Sequence, residues 1–481
     1  MKRQFLLNVI LLMAINVLIK PFYVFFVETE VQNELGTAQF GYYFFHMNFV
    51  FLFQFLGDLG LQSHNQQYVS KNRDNIHRFF SSVIGLKLAL TFLATGVLFV
   101  FGLVFGKMDT GLLLLISVNL FLSSWLVLMR SFLSGLGFYT LDSLVSSLDK
   151  FLMIVVISGL LWFGTDGTFT LSDFIYGQMF SLLLANIVVM VLLFLKDQKL
   201  SFLPDFKGLT SLLYRCIPFA LVLFLMTSYN KLDGFLLGRL LDDQGLEAGI
   251  YAASYRIYDA ANMFMYMIPA LILPMFSYMI SNNEDIRPLY TLVGKWMFVL
   301  LSPLLAVVLF FGNDIITFLY TDYIAEKTRV LQLLMTASVL VCYAYIFGAM
   351  SMAADQIKSL IPVFILGLFV NITGNLIFIP IYGALGAAVV TLVTQGVVFL
   401  GQWYVVKKYV NFSFDKNATG RGWIYFVILA GLAWFFSKES PFSSYVSIII
   451  CLIFSLPLAF LLKLIELSDI KLILSRKNKS H

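Results

Sequence analysis

Charge is scarce in this chain. Of 481 residues only 12% are Asp, Glu, Lys or Arg, while 60% are hydrophobic and the mean hydropathy is +0.87. Soluble domains carry roughly 25% charged and about 45–50% apolar residues, so an ordinary soluble enzyme and a disordered chain are both excluded. Cysteine is equally rare. Cys216, Cys342 and Cys451 lie far apart, each in or beside an apolar run, so no disulfide framework or metal-ligand spacing follows from them. They read as small apolar fillers. The four histidines, His46, His64, His77 and His481, show no ligand spacing either. Alternation is missing too: runs such as FLLNVILLMAINVL and VSIIICLIFSLPLAFLL are continuously apolar, whereas a β-barrel would alternate. No long polar insertion marks a soluble domain.

Long apolar runs are what the chain has. A spanning helix needs about 20 mostly apolar residues, and about 14 stretches qualify. They are 5–27, 40–62, 80–106, 111–133, 143–163, 171–195, 214–238, 249–277, 290–312, 329–353, 359–379, 383–406, 422–436 and 443–462. The predicted fold class is therefore all-α, a polytopic membrane protein. The opening MKRQ and the run after it mimic a signal peptide, but no A-x-A-like site follows, so this run reads as the first span.

Lys and Arg orient the spans. With the N-terminus inside, 22 basic residues fall in inner segments, from Lys2 and Arg3 to the tail cluster Lys463–Lys479. Five fall outside: Lys107, Arg239, Lys327, Arg329 and Lys438. Outer loops are acidic instead, with Glu28, Glu30, Glu34, Asp242, Asp243 and Glu247. Both termini are thus predicted to be cytoplasmic. The net charge of +5 is a topology signal and calls for no nucleic-acid partner.

A repeat supports an even division. ELGTAQFGYYFF (34–45) and GLEAGIYAASYR (245–256) each follow a span and an acidic outer loop, about 208 residues apart. They mark corresponding points of parallel six-helix halves. The predicted organisation is an N-terminal lobe over 1–200, a C-terminal lobe over 201–410, and two extra helices with a basic tail over 411–481.

Charges inside spans are costly, at least about 2.5–3.5 kcal/mol at the bilayer centre, and usually face a cavity or a partner. Lys20 in the first span, Lys231 in the seventh and Arg256 in the eighth stand out by expected depth. Lys20 is placed about 22 Å from the inner side by residue count. Polar stripes accompany these cations: Asn8, Asn16 and Lys20; His46, Gln54 and Asp58; Tyr255, Asp259, Asn262 and Tyr266. Such stripes suit a water-filled cavity binding an anionic substrate, with Lys20, Lys231 and Arg256 for phosphate and Asn16, Tyr255 and Asn262 for sugar hydroxyls. The alternative for the cations is structural ion pairing. Lys87, Asp149 and Lys150 read as snorkelling or pairing near the inner surface. Pro21, Pro269, Pro274 and Pro362 are expected to kink or break their helices.

The segment ELGTAQFGYYFFHMNFVFLFQFLGDLGLQSHNQQYVS resembles the opening signature of the polysaccharide (O-antigen) flippase family of the multidrug/oligosaccharidyl-lipid/polysaccharide exporter superfamily. Leu35, Gly36, Gly41 and Tyr42 meet its opening pattern, and Asp58, Leu59 and Gly60 meet an Asp-x-Gly element. The segment with Lys231, Asp233, Gly249, Tyr251 and Arg256 resembles the start of its second half. The resemblance implies two six-helix lobes around a central cavity plus two C-terminal helices. It also implies movement of undecaprenyl-diphosphate-linked oligosaccharide, of O-antigen or capsule type, across the bacterial cytoplasmic membrane by alternating access. Basic residues on the first and eighth helices matter for the diphosphate in related lipid II flippases, and Lys20 and Arg256 occupy comparable helices. Lys20 stands where Arg is more usual.

The expected function is thus a flippase and not an enzyme. No cofactor is expected beyond a coupling proton or Na⁺ on Asp58, Asp233 or Asp259. Expected partners are the lipid-linked oligosaccharide, membrane lipids and polysaccharide assembly proteins. The rival functions are a cation-coupled drug antiporter of the same superfamily and a membrane polysaccharide polymerase or ligase. The outer loops, about a dozen residues long, are near ordinary connection length and give the latter no large catalytic loop.

Overall fold

The computed structural model describes residues 16–466 apart from 17, 63–64, 66–67, 70–75, 107, 165–168, 198–199, 207–208, 411–415 and 440–441. Among the described residues the regular structure is helical throughout, as a chain immersed in hydrocarbon requires, because each backbone N–H and C=O must be satisfied within its own segment. In chain order, α1 joins a π-helical turn, Tyr23–Glu28, to Thr29–Leu35. There follow α2 (Thr37–Asp58), α3 (Ile76–Phe105), α4 (Thr110–Gly135), short α5 (Tyr139–Val145), α6 (Leu148–Phe163), α7 (Leu171–Lys196) and α8 (Leu209–Leu240). The remainder are α9 (Leu246–Ser281), α10 (Arg287–Leu319), α11 (Ile324–Ala353), α12 (Ile357–Tyr409), α13 (Lys416–Glu439) and α14 (Ser444–Leu461). Among the described residues, nine stretches are long and apolar enough to cross a membrane. The chain is a multi-pass membrane protein.

Local chemistry sets several boundaries. The Asp109 carboxylate caps α4 by accepting from Gly111 N–H at 2.8 Å and Leu112 N–H at 3.1 Å. Thr170 and Asp173 form a capping box at α7. Pro21 directly precedes the π-helical turn of α1, in keeping with a disturbed hydrogen-bond ladder there. The 53-residue α12 is two spans joined at Gly383, whose φ of 54° and ψ of −133° break the helix, as the separate runs 359–379 and 383–406 anticipate.

Contacts divide the chain into two compact units. Unit 1 comprises Met1–Ala252 and Asn375–Ala384, and unit 2 comprises Ala253–Gly374 and Leu385–His481. In unit 1, α2 is central and packs on α3, α4 and α8. Gly234 and Gly238, four residues apart on α8, leave room for Phe44, Asn48 and Phe45 of α2, the small-xxx-small arrangement that lets membrane helices approach closely. A second core forms among Phe80, Ile84, Met129, Phe132, Leu133, Val189 and Leu193.

In unit 2, α10 carries two cores. One joins Met265, Phe276, Met297, Phe347, Met350 and Val406. The other joins Val299, Val307, Phe311, Tyr425, Leu429, Cys451 and Leu458, and seats α13 and α14 on α10. The buried Tyr425 hydroxyl lies 3.3 Å from Val299 O and 3.2 Å from Ser455 O, tying all three helices together.

Candidate functional site

Unit 1 holds a helix end tied down from a neighbouring helix. Helix α2 stops at Asp58, where Leu59 and Gly60 take positive φ of 43° and 77°, and helical residues resume at 61–62, 65 and 68–69. A helix end leaves carbonyls without intrahelical donors. Lys87 supplies one. It stands eleven residues into α3, about 16 Å along the helix, and is 1% exposed. Its ammonium donates to Gly57 O at 2.9 Å, Asp58 Oδ1 at 3.0 Å and Ser124 Oγ at 2.5 Å. All three donors of the ammonium are used. The structure therefore pairs Asp58 with Lys87, and the Asp-Leu-Gly element closes α2, with Leu59 as its left-handed cap.

Asp233 has a different setting. It lies on α8, 2% exposed, and accepts from Tyr251 Oη at 2.9 Å and from Asn375 Nδ2 at 2.7 Å. Two neutral donors thus face a buried carboxylate. Asn375 carries no motif, and its only sequence signal is a polar side chain inside an apolar run. Lys231, two residues before Asp233, sets its ammonium 5.0 Å from the centroid of the Phe51 ring, a cation–π contact. Asp243 and Glu247 cap backbone here: Asp243 accepts from Glu247 N–H at 2.7 Å, and Glu247 accepts from Ala384 N–H at 2.7 Å just past Gly383. Both acids read in the sequence as acidic outer-loop residues.

Lys20 lies among charges. Asp149, Lys150 and Arg130 are the charged groups that act on it. Arg130 lies near the end of α4, and Asp149 and Lys150 lie at the start of α6. Asn16, one turn before Lys20, is buried and donates to Ser146 Oγ at 2.7 Å. Arg130 pairs with Asp142 at 2.8 Å, Lys150 with Asp149 at 3.8 Å, and the Lys150 ammonium also sits 4.8 Å from the Tyr23 ring centroid. Lys20 thus shares its surroundings with groups near the end of α4 and the start of α6. The structure gives Lys20 and Lys231 different neighbours.

Unit 2 carries Tyr255, Arg256, Asp259 and Asn262 on α9. Tyr255 is buried and tilts against Tyr258 with centroids 5.6 Å apart. Arg256 and Asp259 are half-buried. Asn262 is fully buried and donates to Tyr258 O at 2.9 Å and Ser338 Oγ at 3.1 Å, which ties α9 to α11. Nearby, Ser254 Oγ donates to Lys327 O at 2.7 Å, and the Lys327 ammonium meets Asp322 at 2.5 Å. Asn8 lies outside the described residues. Among the described residues no three His, Cys, Asp or Glu side chains gather as a metal site.

The two copies of the sequence repeat meet. A Cβ added at Gly41 would overlap the Gly245 carbonyl and the Gly249 backbone, one at Gly249 would overlap Thr37 O, and one at Gly245 would crowd Tyr42 N. Gln32 Nε2 donates to Gly249 O at 3.2 Å. The starts of α2 and α9 thus touch backbone to backbone, within unit 1.

Comparison with known proteins follows from this geometry. A family model described as polysaccharide biosynthesis protein matches residues 5–280. The solved lipid II flippase MurJ, in an inward-closed conformation, matches with a TM-score of 0.70 at 15% identity over 95% of this chain and 98% of that one. An inward-facing multidrug resistance MATE family transporter matches with a TM-score of 0.64 at 14% identity, covering 82% and 96%. A MOP superfamily transporter from Pyrococcus furiosus matches with a TM-score of 0.57 at 15% identity, covering 83% and 94%. At these identities the likeness is one of fold. No curated protein matches the chain by sequence.

Proposed function

Because the chain belongs to the polysaccharide biosynthesis protein family, within the multidrug/oligosaccharidyl-lipid/polysaccharide exporter superfamily, we propose that it is a flippase. Its cargo is an undecaprenyl-diphosphate-linked oligosaccharide of O-antigen or capsule type, moved from the cytoplasmic to the outer leaflet of a bacterial cytoplasmic membrane by alternating access. Both termini lie in the cytoplasm, following the distribution of Lys and Arg. No covalent bond is made or broken. One observation carries the reading: over 95% of its length the chain has the fold of a lipid II flippase.

Lys20, Lys231 and Arg256 attract the diphosphate, Arg256 as a bidentate partner and the lysines as point charges. Tyr255 packs against sugar. Asn16 and Asn262 act by position, since their amides hold Ser146 and Ser338. Of the three acids considered for coupling, Asp233 fits best. A buried carboxylate facing a phenol and an amide is suited to gaining and losing a proton or small cation, whereas Asp58 balances Lys87. Asp259 has no such pair of donors among the described contacts. Polysaccharide assembly proteins are the natural partners of such a step.

The test is single replacement, Lys20→Ala, Lys231→Ala and Arg256→Ala, with surface polysaccharide measured at matched expression. Loss in at least Lys20→Ala or Arg256→Ala is expected, and full activity in all three refutes the assignment. A second reading rests on the MATE-type fold match, that of a cation-coupled drug antiporter. Drug efflux by the purified protein, with no flipping of lipid-linked glycan, decides for it.

A further inference from the structure

Unit 2 carries a half-open cavity of about 380 Å³ that involves none of the proposed transport residues. Its walls are Tyr290, Lys295 and Phe298 of α10, Leu340 and Tyr343 of α11, and Trp423 of α13. Two glycines open it. A Cβ at Gly422 would press to 3.2 Å from the Phe298 ring, and one at Gly294 would touch Tyr343 at 3.7 Å. The lining is overwhelmingly aromatic and aliphatic, with Lys295 as its one charge.

Lys295 is eight residues into α10, about 12 Å from Arg287 along the helix. It is half-buried, and among the described residues no acid stands within salt-bridge distance of it. An ammonium at that depth is stabilised either by snorkelling to the interface or by an anion. The cavity supplies a place for the anion, and its apolar walls specify what the anion is attached to.

We propose that this cavity is a resident-lipid site: it holds one acyl chain of an anionic glycerophospholipid of the cytoplasmic leaflet, with the phosphate on Lys295. The leaflet rests on the orientation given under the proposed function, and the site itself does not. At roughly 30 Å³ for a group the size of a water or methylene, the cavity accommodates about a dozen methylenes, the scale of one acyl chain. Its neutral polar groups, Thr291, Thr419, the Tyr290 and Tyr343 hydroxyls and the Trp423 indole N–H, are few beside the apolar surface they interrupt. Trp423 and Tyr290 contribute rings with a polar edge, the side chains that suit the level of lipid headgroups.

The experiment uses the full chain, purified, delipidated and placed in nanodiscs. Phosphatidylglycerol with brominated acyl chains is titrated in, and Trp fluorescence is read, with Trp423→Phe subtracted to isolate the signal of Trp423. Brominated phosphatidylglycerol is expected to quench Trp423 at one equivalent, and brominated phosphatidylcholine to need at least tenfold more. Lys295→Ala is expected to erase that preference while Lys295→Arg keeps it. Leu340→Trp, which fills the cavity, is expected to abolish stoichiometric retention of phosphatidylglycerol in native mass spectrometry. Equal quenching by the two lipids, or Lys295→Ala with the wild-type preference, overturns the proposal, as does displacement of phosphatidylglycerol by equimolar undecaprenyl phosphate. Lys20→Ala and Arg256→Ala should keep the quenching. If they do so and still move glycan, the flippase assignment of those residues fails while the lipid site stands.

Discussion

Replacing Lys87 with Met tests how the end of α2 is held. The substitution keeps the volume and removes the ammonium. It strips Asp58 of its counter-charge at 3.0 Å, and leaves Gly57 O and Ser124 Oγ without the donor that reaches them at 2.9 and 2.5 Å. Breaking a buried ion pair by removing one partner costs about 3–5 kcal/mol. The Asp58 side chain is 20% exposed, so water relieves part of that cost and the lower end applies. Each orphaned neutral group adds about 1–3 kcal/mol when considered alone, but the three share one donor and do not add. The expected loss is therefore about 3–4 kcal/mol for Lys87→Met.

The second arm is Asp58→Leu in the Lys87→Met background. Removing both charges deletes the desolvation penalty along with the attraction, and paired replacement by apolar groups is often close to neutral. The Gly57 carbonyl and the Ser124 hydroxyl stay without the Lys87 donor. The double variant should recover about 2 kcal/mol of the loss, and since Asp58→Leu alone strands the buried Lys87, a double-mutant cycle should return a coupling of more than about 2 kcal/mol. The assay is denaturant unfolding of purified protein in one detergent, with all four corners of the cycle measured. A coupling below about 0.5 kcal/mol, the noise of independent sites, refutes the pairing as the element that holds that end. Asp58→Asn adds a functional reading: it keeps an acceptor for Lys87 and is expected to retain glycan flipping, which a coupling role for Asp58 would not allow.

Three further outcomes follow from named contacts. Gly249→Val forces a side chain into Thr37 O, so the protein should fail to accumulate or should lose well over the 1–3 kcal/mol typical of overpacking, as read by thermal unfolding in detergent. For Asp233, Tyr251→Phe removes the hydroxyl at 2.9 Å and should alter the pH profile of transport at near-normal expression; a simple fall in yield with an unchanged profile assigns the contact to folding alone. At the start of α10, the Arg287 backbone N–H and then its side chain hold the Asp285 carboxyl below its ordinary range. A lowered folded value stabilises above the ordinary carboxylate pKa of about 3.9 and is lost on acidification through the folded value. Asp285→Asn should therefore lower stability slightly above about pH 5, with the difference closing as the pH falls through the folded value.

Hydropathy made the helices legible because a spanning helix is dictated by solvent, not by neighbours: the run 171–195 matches Leu171–Lys196 to within a residue, and 329–353 ends with Ile324–Ala353 while starting five residues late. What hydropathy could not show is whatever depends on a partner far along the chain. Asp-Leu-Gly at 58–60 reads as the end of a helix, and it is one, but the ammonium that ties that end down belongs to Lys87, 29 residues away. Asp233 announced itself as a charge in a span, but Asn375, 142 residues on, did not. A lone Asn in an apolar run was the signal available, and a buried amide needs a polar partner as surely as a buried charge does.

The repeat shows the same limit from the other side. Its two copies were recognisable as text, and their glycines looked like interchangeable small residues at helix starts. Packed together, Gly41, Gly245 and Gly249 are the positions where two backbones touch, and Gln32 reaches across to the Gly249 carbonyl. The motif that a reader takes as a family signature is thus an interface of the motif with its own duplicate. That gives a physical reason for its composition: a Cβ at any of the three positions would drive α2 and α9 apart, and Lys231 and Asp233 are carried on α8, the helix that packs against the same face of α2.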